Sequence, residues 1–183
     1  IGKGQRGLIV APPGSGKTII GLSLIVSKAQ PALIITHRKQ IYTQWLERIE
    51  HFLGIPKRNI GQMASSKKTT EPITVAMVQT LARISDLSAL ATKFGLVLVD
   101  ECHHMPAKMF RDVITKFNPQ YLYGLTATPV RKNDDEKLIF IYLGNVLHEI
   151  PKDYHTTEEQ QPPGMNVIIR DTNLRVPFAV GVD

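Results

Sequence analysis

Five short apolar runs, alternating with longer segments of helical spacing, constrain the fold more than any other feature of this sequence. The runs lie at residues 7–11, 32–36, 73–78, 96–99 and 121–125. The segments at residues 17–28, 38–52, 79–93, 108–117 and 135–143 are predicted helices. Continuous apolar strands alternating with amphipathic helices indicate a mainly parallel sheet with helices on both faces. We therefore predict an α/β fold with ligands at the carboxyl ends of the strands.

The length of 183 residues fits one domain. We assign residues 1–150 to that domain and residues 151–183 to a polar linker or trailing segment, in which 166–170 could add a strand. Residues 65–70 are predicted to form a polar loop. Because the first residue is Ile1 and not Met, we expect an excised piece of a longer chain.

The charge and cysteine content narrow the range of partners. A net charge of +6 is compatible with a polyanion such as nucleic acid, and equally with a solvated basic surface. The single cysteine, Cys102, allows no internal disulfide, which suits a reducing compartment. No apolar run approaches the ~20 residues that span a bilayer, so no membrane partner is predicted. We expect an intracellular, cytoplasmic location, nucleoid-associated if the source is bacterial.

A glycine-rich segment, APPGSGKT at residues 11–18, follows the first predicted strand and opens the first predicted helix. That context is the one a phosphate-binding loop requires. Its glycines let backbone N–H groups turn inward, and the helix adds its positive dipole end. Lys17 is expected to reach the β- and γ-phosphates of ATP, and the Thr18 hydroxyl to ligate Mg²⁺. The predicted nucleotide contacts are Pro13, Gly14, Ser15, Gly16, Lys17 and Thr18.

Two carboxylates, Asp100 and Glu101, stand at the exit of the fourth predicted strand. Paired acids at such a position suit metal-assisted phosphoryl transfer to water. Asp100 is expected to hold Mg²⁺ through a water, and Glu101 to orient or deprotonate the attacking water. In isolation the pair could simply cap the next helix.

The segment Cys102-His103-His104 raises the question of zinc. No second ligand cluster stands at zinc spacing, so zinc is disfavoured. His103 is instead expected to make a polar contact between the acids and the next motif.

These motifs, in this order, resemble those of a known family. Residues 100–103 have the DExH form of helicase motif II, and residues 124–131 resemble motif III in its TATPxR form. Residues 34–40 with Gln44-Trp45 are similar to motif Ia, and residues 75–80 to motif Ib. The chain from residue 7 to about 150 thus resembles the N-terminal RecA-like ATP-binding lobe of superfamily 2 DExH helicases and translocases. The resemblance is to the branch that holds restriction-enzyme translocase subunits and excision-repair helicases.

The resemblance implies a RecA-like P-loop domain that hydrolyses ATP with Mg²⁺ to drive movement along nucleic acid, with DNA favoured over RNA. It implies catalytic roles for Lys17, Asp100, Glu101 and His103. Thr126 and Thr128 would couple nucleotide state to lobe movement. The implied nucleic-acid contacts are Thr36, His37, Arg38, Gln79 and Thr80. A second RecA-like lobe of the same parent chain, which normally supplies an arginine finger, is the implied partner, so this fragment alone should be poorly active.

Other interpretations stay open at this point. Gln79 and Thr80 could only start a helix, and Arg38 could be solvated. Trp45 could stack on a base, but a lone tryptophan in an amphipathic helix is more often core, so it is not assigned to the site. For the whole protein, the alternatives are a nucleotide-gated nucleic-acid clamp without unwinding, and an RNA helicase. A small-molecule P-loop kinase gives no reason for the TATP motif.

Overall fold

Eight strands of the computed structural model form one sheet, in the order β4-β3-β5-β2-β6-β7-β1-β8. The structure describes residues 5–65, 67–104, 107–127 and 141–151. The strands are β1 (Gln5–Val10), β2 (Ala32–Thr36), β3 (Gly61–Ala64), β4 (Lys67–Lys68), β5 (Ile73–Met77), β6 (Leu96–Asp100), β7 (Tyr121–Thr126) and β8 (Val146–Glu149). Only β3 and β4 pair antiparallel among the described strands; every other neighbouring pair is parallel. The predicted α/β class is confirmed.

Helices connect the strands of the sheet. They are α1 (Lys17–Lys28), α2 (Lys39–Leu53), α3 (Val78–Leu81), α4 (Ser88–Ala91) and α5 (Ala107–Ile114), and residues 102–104 form a short 3₁₀ turn. None of the helices in the described ranges is long and apolar enough to cross a membrane.

The core lies on both faces of the sheet, because successive strand residues point to opposite sides. On one face, Ile34 and Leu98 pack with residues of α1 and α2. On the other, Leu33 and Val97 pack with residues of α3 and α5. The two-sided burial explains why the central strands carry continuous apolar runs, and it confirms helices on both faces.

The register brings the ends of three central strands together. Val10 of β1 pairs with Thr126 of β7, and Asp100 of β6 pairs with Leu125 of β7. The loop after β1 and the acids after β6 therefore flank the end of β7. With strands ~4.8 Å apart, the ends of β1 and β6 lie roughly 10 Å apart, on either side of the end of β7.

The structure corrects several predicted elements. Strands β3 and β8 were not predicted, and β4 lies inside the predicted loop at residues 65–70. These strands lack a continuous buried run: in β3 only alternate residues are buried, and all four residues of β8 are exposed. The predicted helix at residues 79–93 is instead two four-residue helices. Between them, the Asp86 carboxylate accepts from the backbone N–H of Ser88 at 2.8 Å, which competes with helical pairing.

The chain divides after Lys152 into two units, and all the described residues belong to the first. Most of the predicted helix at 135–143 and the predicted strand at 166–170 lie outside the described residues. The assignment of 1–150 to a lobe and 151–183 to a trailing segment stays a prediction.

Candidate nucleotide site

The loop between β1 and α1 has the backbone geometry of an anion nest. Gly14 and Gly16 adopt φ of 81° and 83°, in the left-handed region that favours glycine. A Cβ at Gly14 would meet nothing within 4 Å, so conformation and not space requires the glycine. Ser15 donates from both its backbone N–H and its hydroxyl to the Pro12 carbonyl, at 3.2 and 2.6 Å, which closes the turn. No side chain caps the start of α1, so its N-terminal N–H groups face the loop.

Lys17, the first residue of α1, lies across this loop. Its Nζ donates to the Ala11 carbonyl at 3.3 Å and the Pro12 carbonyl at 3.5 Å. The same atom lies 3.7 Å from Oε1 of Glu101, and both side chains are largely buried. The ammonium thus bridges the loop and the acidic pair, where an incoming phosphate would exchange these partners for its own oxygens.

Asp100, the last residue of β6, is buried, with 6% of its surface exposed. Its Oδ1 accepts from the Glu101 backbone N–H at 2.9 Å, and its Oδ2 from Nε1 of Trp45 at 2.7 Å. Burial raises the pKa of Asp100 above its ordinary value, and the Trp45 hydrogen bond opposes that rise. The Glu101 charge also raises the pKa, while the Glu101 N–H and Lys17 lower it.

Glu101 has φ of 50°, which is uncommon for a residue with a side chain. This left-handed turn ends β6 and directs the carboxylate to Lys17 on one side. On the other side, Oε2 lies 3.4 Å from Nδ1 of His103. Backbone strain of this kind, about 1–3 kcal/mol, concentrates at functional sites.

His103 connects the acids to β7. Its Nδ1 lies 2.7 Å from Oγ1 of Thr126, the buried last residue of that strand. The predicted contact between the acids and the next motif is therefore present at His103. Thr128, the second predicted coupling residue, lies outside the described residues.

A cavity of about 490 Å³ joins the loop to the acids. It is lined by Pro13, Gly14, Gly16, Lys17, Thr18, Ile19, Ile41, Gln44, Arg48, Asp100 and Glu101. The Thr18 hydroxyl and the Asp100 carboxylate are hard oxygen donors of the kind Mg²⁺ prefers. Within the described ranges, no three His, Cys, Asp or Glu side chains group into a metal cluster. Two protein donors, Thr18 and Asp100, fit an ion such as Mg²⁺, which completes its coordination with water and phosphate oxygens.

Cys102 is buried behind the acids. Burial, with the nearby Asp100 and Glu101 charges, raises the pKa of its thiol to about 12, so the thiol stays protonated at neutral pH. A Cβ on Gly124 would lie 3.2 Å from its Sγ. Cys102 therefore acts as a packing residue between β6 and β7.

The predicted nucleic-acid residues lie together at the carboxyl ends of β2 and β5, because these two strands are neighbours. Gln79 donates from Nε2 to the His37 carbonyl at 2.8 Å, which joins the two segments. Thr36 is fully buried and donates to the Ala76 carbonyl at 3.4 Å, and Thr80 is also buried. Arg38 is exposed and His37 partly so. Contact of these five residues with nucleic acid stays a prediction.

Trp45 is the site residue that sequence reasoning missed. It is core, as expected, with 1% of its surface exposed, and it also bonds directly to Asp100. Its position in an amphipathic helix predicts the burial, but no spacing rule connects residues 45 and 100.

A phosphate loop, its lysine and an acid pair at the carboxyl ends of a mainly parallel sheet define a P-loop nucleotide-binding domain. The family that the chain matches and its sequence relatives identify this domain as the N-terminal RecA-like lobe of a superfamily 2 helicase. Residues 2–131 match the family described as type III restriction enzyme, res subunit, and the chain belongs to that family.

Two curated relatives are similar to this chain in sequence, and one solved structure is similar in fold. The chain is 34% identical over 146 residues to the DNA 3'-5' translocase XPB2 of Sulfurisphaera tokodaii, which covers 80% of this chain and 32% of the relative. It is 30% identical over 166 residues to a protein of Acanthamoeba polyphaga mimivirus whose name assigns it to the ATP-dependent RNA helicases, covering 91% of this chain and 30% of that protein. The chain thus spans less than a third of the length of either relative. The UvsW helicase of bacteriophage T4 shares the fold, with a TM-score of 0.69 at 17% identity over 79% of this chain and 54% of that one.

Proposed function

We propose that this chain is the ATP-binding lobe of an ATP-dependent helicase or translocase, which hydrolyses ATP with Mg²⁺ to move along a nucleic-acid strand. The observation that carries the proposal is the single cavity in which Lys17 and the acid pair meet, with Nζ of Lys17 3.7 Å from Glu101. Two cationic side chains, Lys17 and Arg48, and two carboxylates, Asp100 and Glu101, line this cavity. The hydroxyl of Thr18 and the carboxylate of Asp100 are hard oxygen donors that suit a divalent cation beside the phosphates.

Each residue has a distinct task in this proposal. Lys17 and the loop N–H groups bind the phosphates, and Thr18 and Asp100 hold Mg²⁺. When bound, Mg²⁺ neutralises charge that develops on the transferred phosphoryl group. Glu101 orients the attacking water and takes its proton, because its carboxylate is held at the cavity wall by Lys17 and His103.

The contact between His103 and Thr126 gives a route from the acids to the end of β7. We propose that Thr126 and Thr128 respond to nucleotide state through this contact and pass the change to a second RecA-like lobe. That lobe would supply an arginine finger, whose absence costs ~10³-fold or more in rate in P-loop enzymes. The 183-residue chain alone should therefore hydrolyse ATP poorly.

We favour DNA as the polymer. The segment TATPVR at residues 126–131 resembles that of DNA translocases, and the archaeal relative is named as one. The name of the mimivirus relative supports RNA instead. Thr36, His37, Arg38, Gln79 and Thr80 would mostly meet or position the phosphate backbone, which both polymers share.

The test is the ATPase rate of a protein that carries this lobe together with its second lobe. The rate is measured without polymer and with single-stranded DNA, duplex DNA and RNA, each beside Lys17→Ala. We expect stimulation by DNA that the substitution abolishes. Stimulation by RNA alone would replace DNA with RNA, and a rate insensitive to every polymer would favour a nucleotide-gated clamp.

A further inference from the structure

The only tryptophan of the chain lies outside the candidate cavity but contacts Asp100, one of the residues that line it. Trp45 is on α2, and its indole N–H donates to Oδ2 of Asp100 at 2.7 Å. A hydrogen bond of this length to a carboxylate is charge-assisted and stronger than one between neutral groups. It joins helix α2 to the carboxyl end of β6.

The carboxylate of Asp100 is held at both oxygens. Oδ2 accepts from Trp45, and Oδ1 accepts from the backbone N–H of Glu101 at 2.9 Å. The torsion that turns an aspartate carboxylate is broad when nothing fixes it. Two donors from different elements remove that freedom. Each carboxylate oxygen still has a second lone-pair site for a further ligand.

The indole ring of Trp45 packs against a glycine of the neighbouring helix α1. A Cβ on Gly21 of α1 would lie 2.5 Å from Cη2 of Trp45, so any larger residue would collide with the ring. A glycine inside a helix costs about 1 kcal/mol relative to alanine. Gly21 also lies one turn beyond Lys17, so the helix that begins at the phosphate loop supports the indole as well.

We propose that Trp45 is a positioning residue for metal-dependent nucleotide binding: its indole N–H holds the Asp100 carboxylate in the orientation that a Mg²⁺–nucleotide complex requires. This inference rests on the proposed function, since it needs Asp100 to act at the metal. Trp45 lines neither the loop nor the cavity and acts only through Asp100. Loss of such an outer partner typically weakens metal binding 10- to 100-fold.

The test uses the 183-residue chain with ATP, in Mg²⁺ and in EDTA, and with Mn²⁺ followed by electron paramagnetic resonance. Two changes remove the N–H: Trp45→Phe, and replacement of Trp45 by 3-benzothienylalanine, which keeps the size of the ring. Replacement of Trp45 by 5-fluorotryptophan keeps the N–H and serves as the rescue. Ile49→Val, a fully buried change on the same helix, controls for packing.

We expect both changes to weaken binding of Mn²⁺, and of ATP in Mg²⁺, at least roughly tenfold, with binding in EDTA unchanged. The rescue and the Ile49 variant should match the unmodified chain. Equal losses with and without metal, or no loss in either, would overturn the positioning role while ATP binding by the unmodified chain stands. No binding of ATP by the unmodified chain would overturn the proposed function and this inference with it.

Discussion

Asp100 shows how folding and catalysis make opposite demands on one residue. Its carboxylate must be charged to hold a cation, yet it is 6% exposed at the end of a buried strand. Burial is the largest cause of its raised pKa, and the Trp45 hydrogen bond is the largest cause that opposes the rise. A charged group in this position destabilises the fold slightly, and a metal would remove that penalty.

The raised pKa of Asp100 should be visible in how the free energy of unfolding depends on pH. Because the pKa of Asp100 is higher in the folded chain than its ordinary value of 3.8, the folded state binds the proton more tightly. The contribution of Asp100 to the free energy of unfolding therefore falls as the pH rises from 3.8 through the raised pKa. The free energy of unfolding of the parent chain and of Asp100→Asn is measured in urea at several pH values. As the pH rises, the parent should lose stability relative to Asp100→Asn. A gain in the stability of the parent relative to Asp100→Asn as the pH rises would contradict the account.

At the scale of elements, α1 combines two functions with conflicting needs. Its N-terminus faces the phosphate loop, and its middle carries Gly21 where an alanine would form a better helix. The close approach of the Trp45 ring accounts for the glycine. At this point α1 and α2 can pack closely because Gly21 has no side chain to meet the Trp45 ring.

We expect Gly21→Ala to destabilise the chain by up to about 2 kcal/mol, because overpacking costs ~1–3 kcal/mol and the gain in helix propensity offsets only about 1 kcal/mol. Urea unfolding measures the change, and Trp45 fluorescence reports whether the ring has moved. Ser23→Ala, an exposed change on the same helix, should be neutral or slightly stabilising. If Gly21→Ala stabilises the chain as Ser23→Ala does, the Trp45 ring does not pack against Gly21.

The elements differ in how well their sequence predicts them. Strands β1, β2, β5, β6 and β7 are predictable because each contains a mainly apolar run that is buried on both faces of the sheet. Strands β3 and β8 lie toward the ends of the sheet, where pairing and not side-chain burial defines a strand. The break between α3 and α4 depends on a local bond from Ser88 to Asp86, which helical periodicity does not show.

At the scale of the molecule, the strand order creates the site. Because β7 lies between β1 and β6, the phosphate loop and the acids are held on either side of one strand end, with Thr126 between them. The motifs of the loop and the acids are predictable because each is local in sequence. Trp45 and Asp100, 55 residues apart, meet only through the packing of α2 on the sheet, so their contact had to come from the structure.

The most direct test of the account is calorimetric titration of the 183-residue chain with ATP in Mg²⁺, beside Lys17→Ala. The account predicts saturable binding that the substitution weakens roughly 10- to 100-fold, because hydrogen bonds to charged groups contribute about 1.5–3 kcal/mol. Matching unfolding curves for the two chains would show that the loss is local. Equal affinity in both chains, or no saturable binding by the parent, would contradict the claim that this lobe binds ATP at the loop before α1.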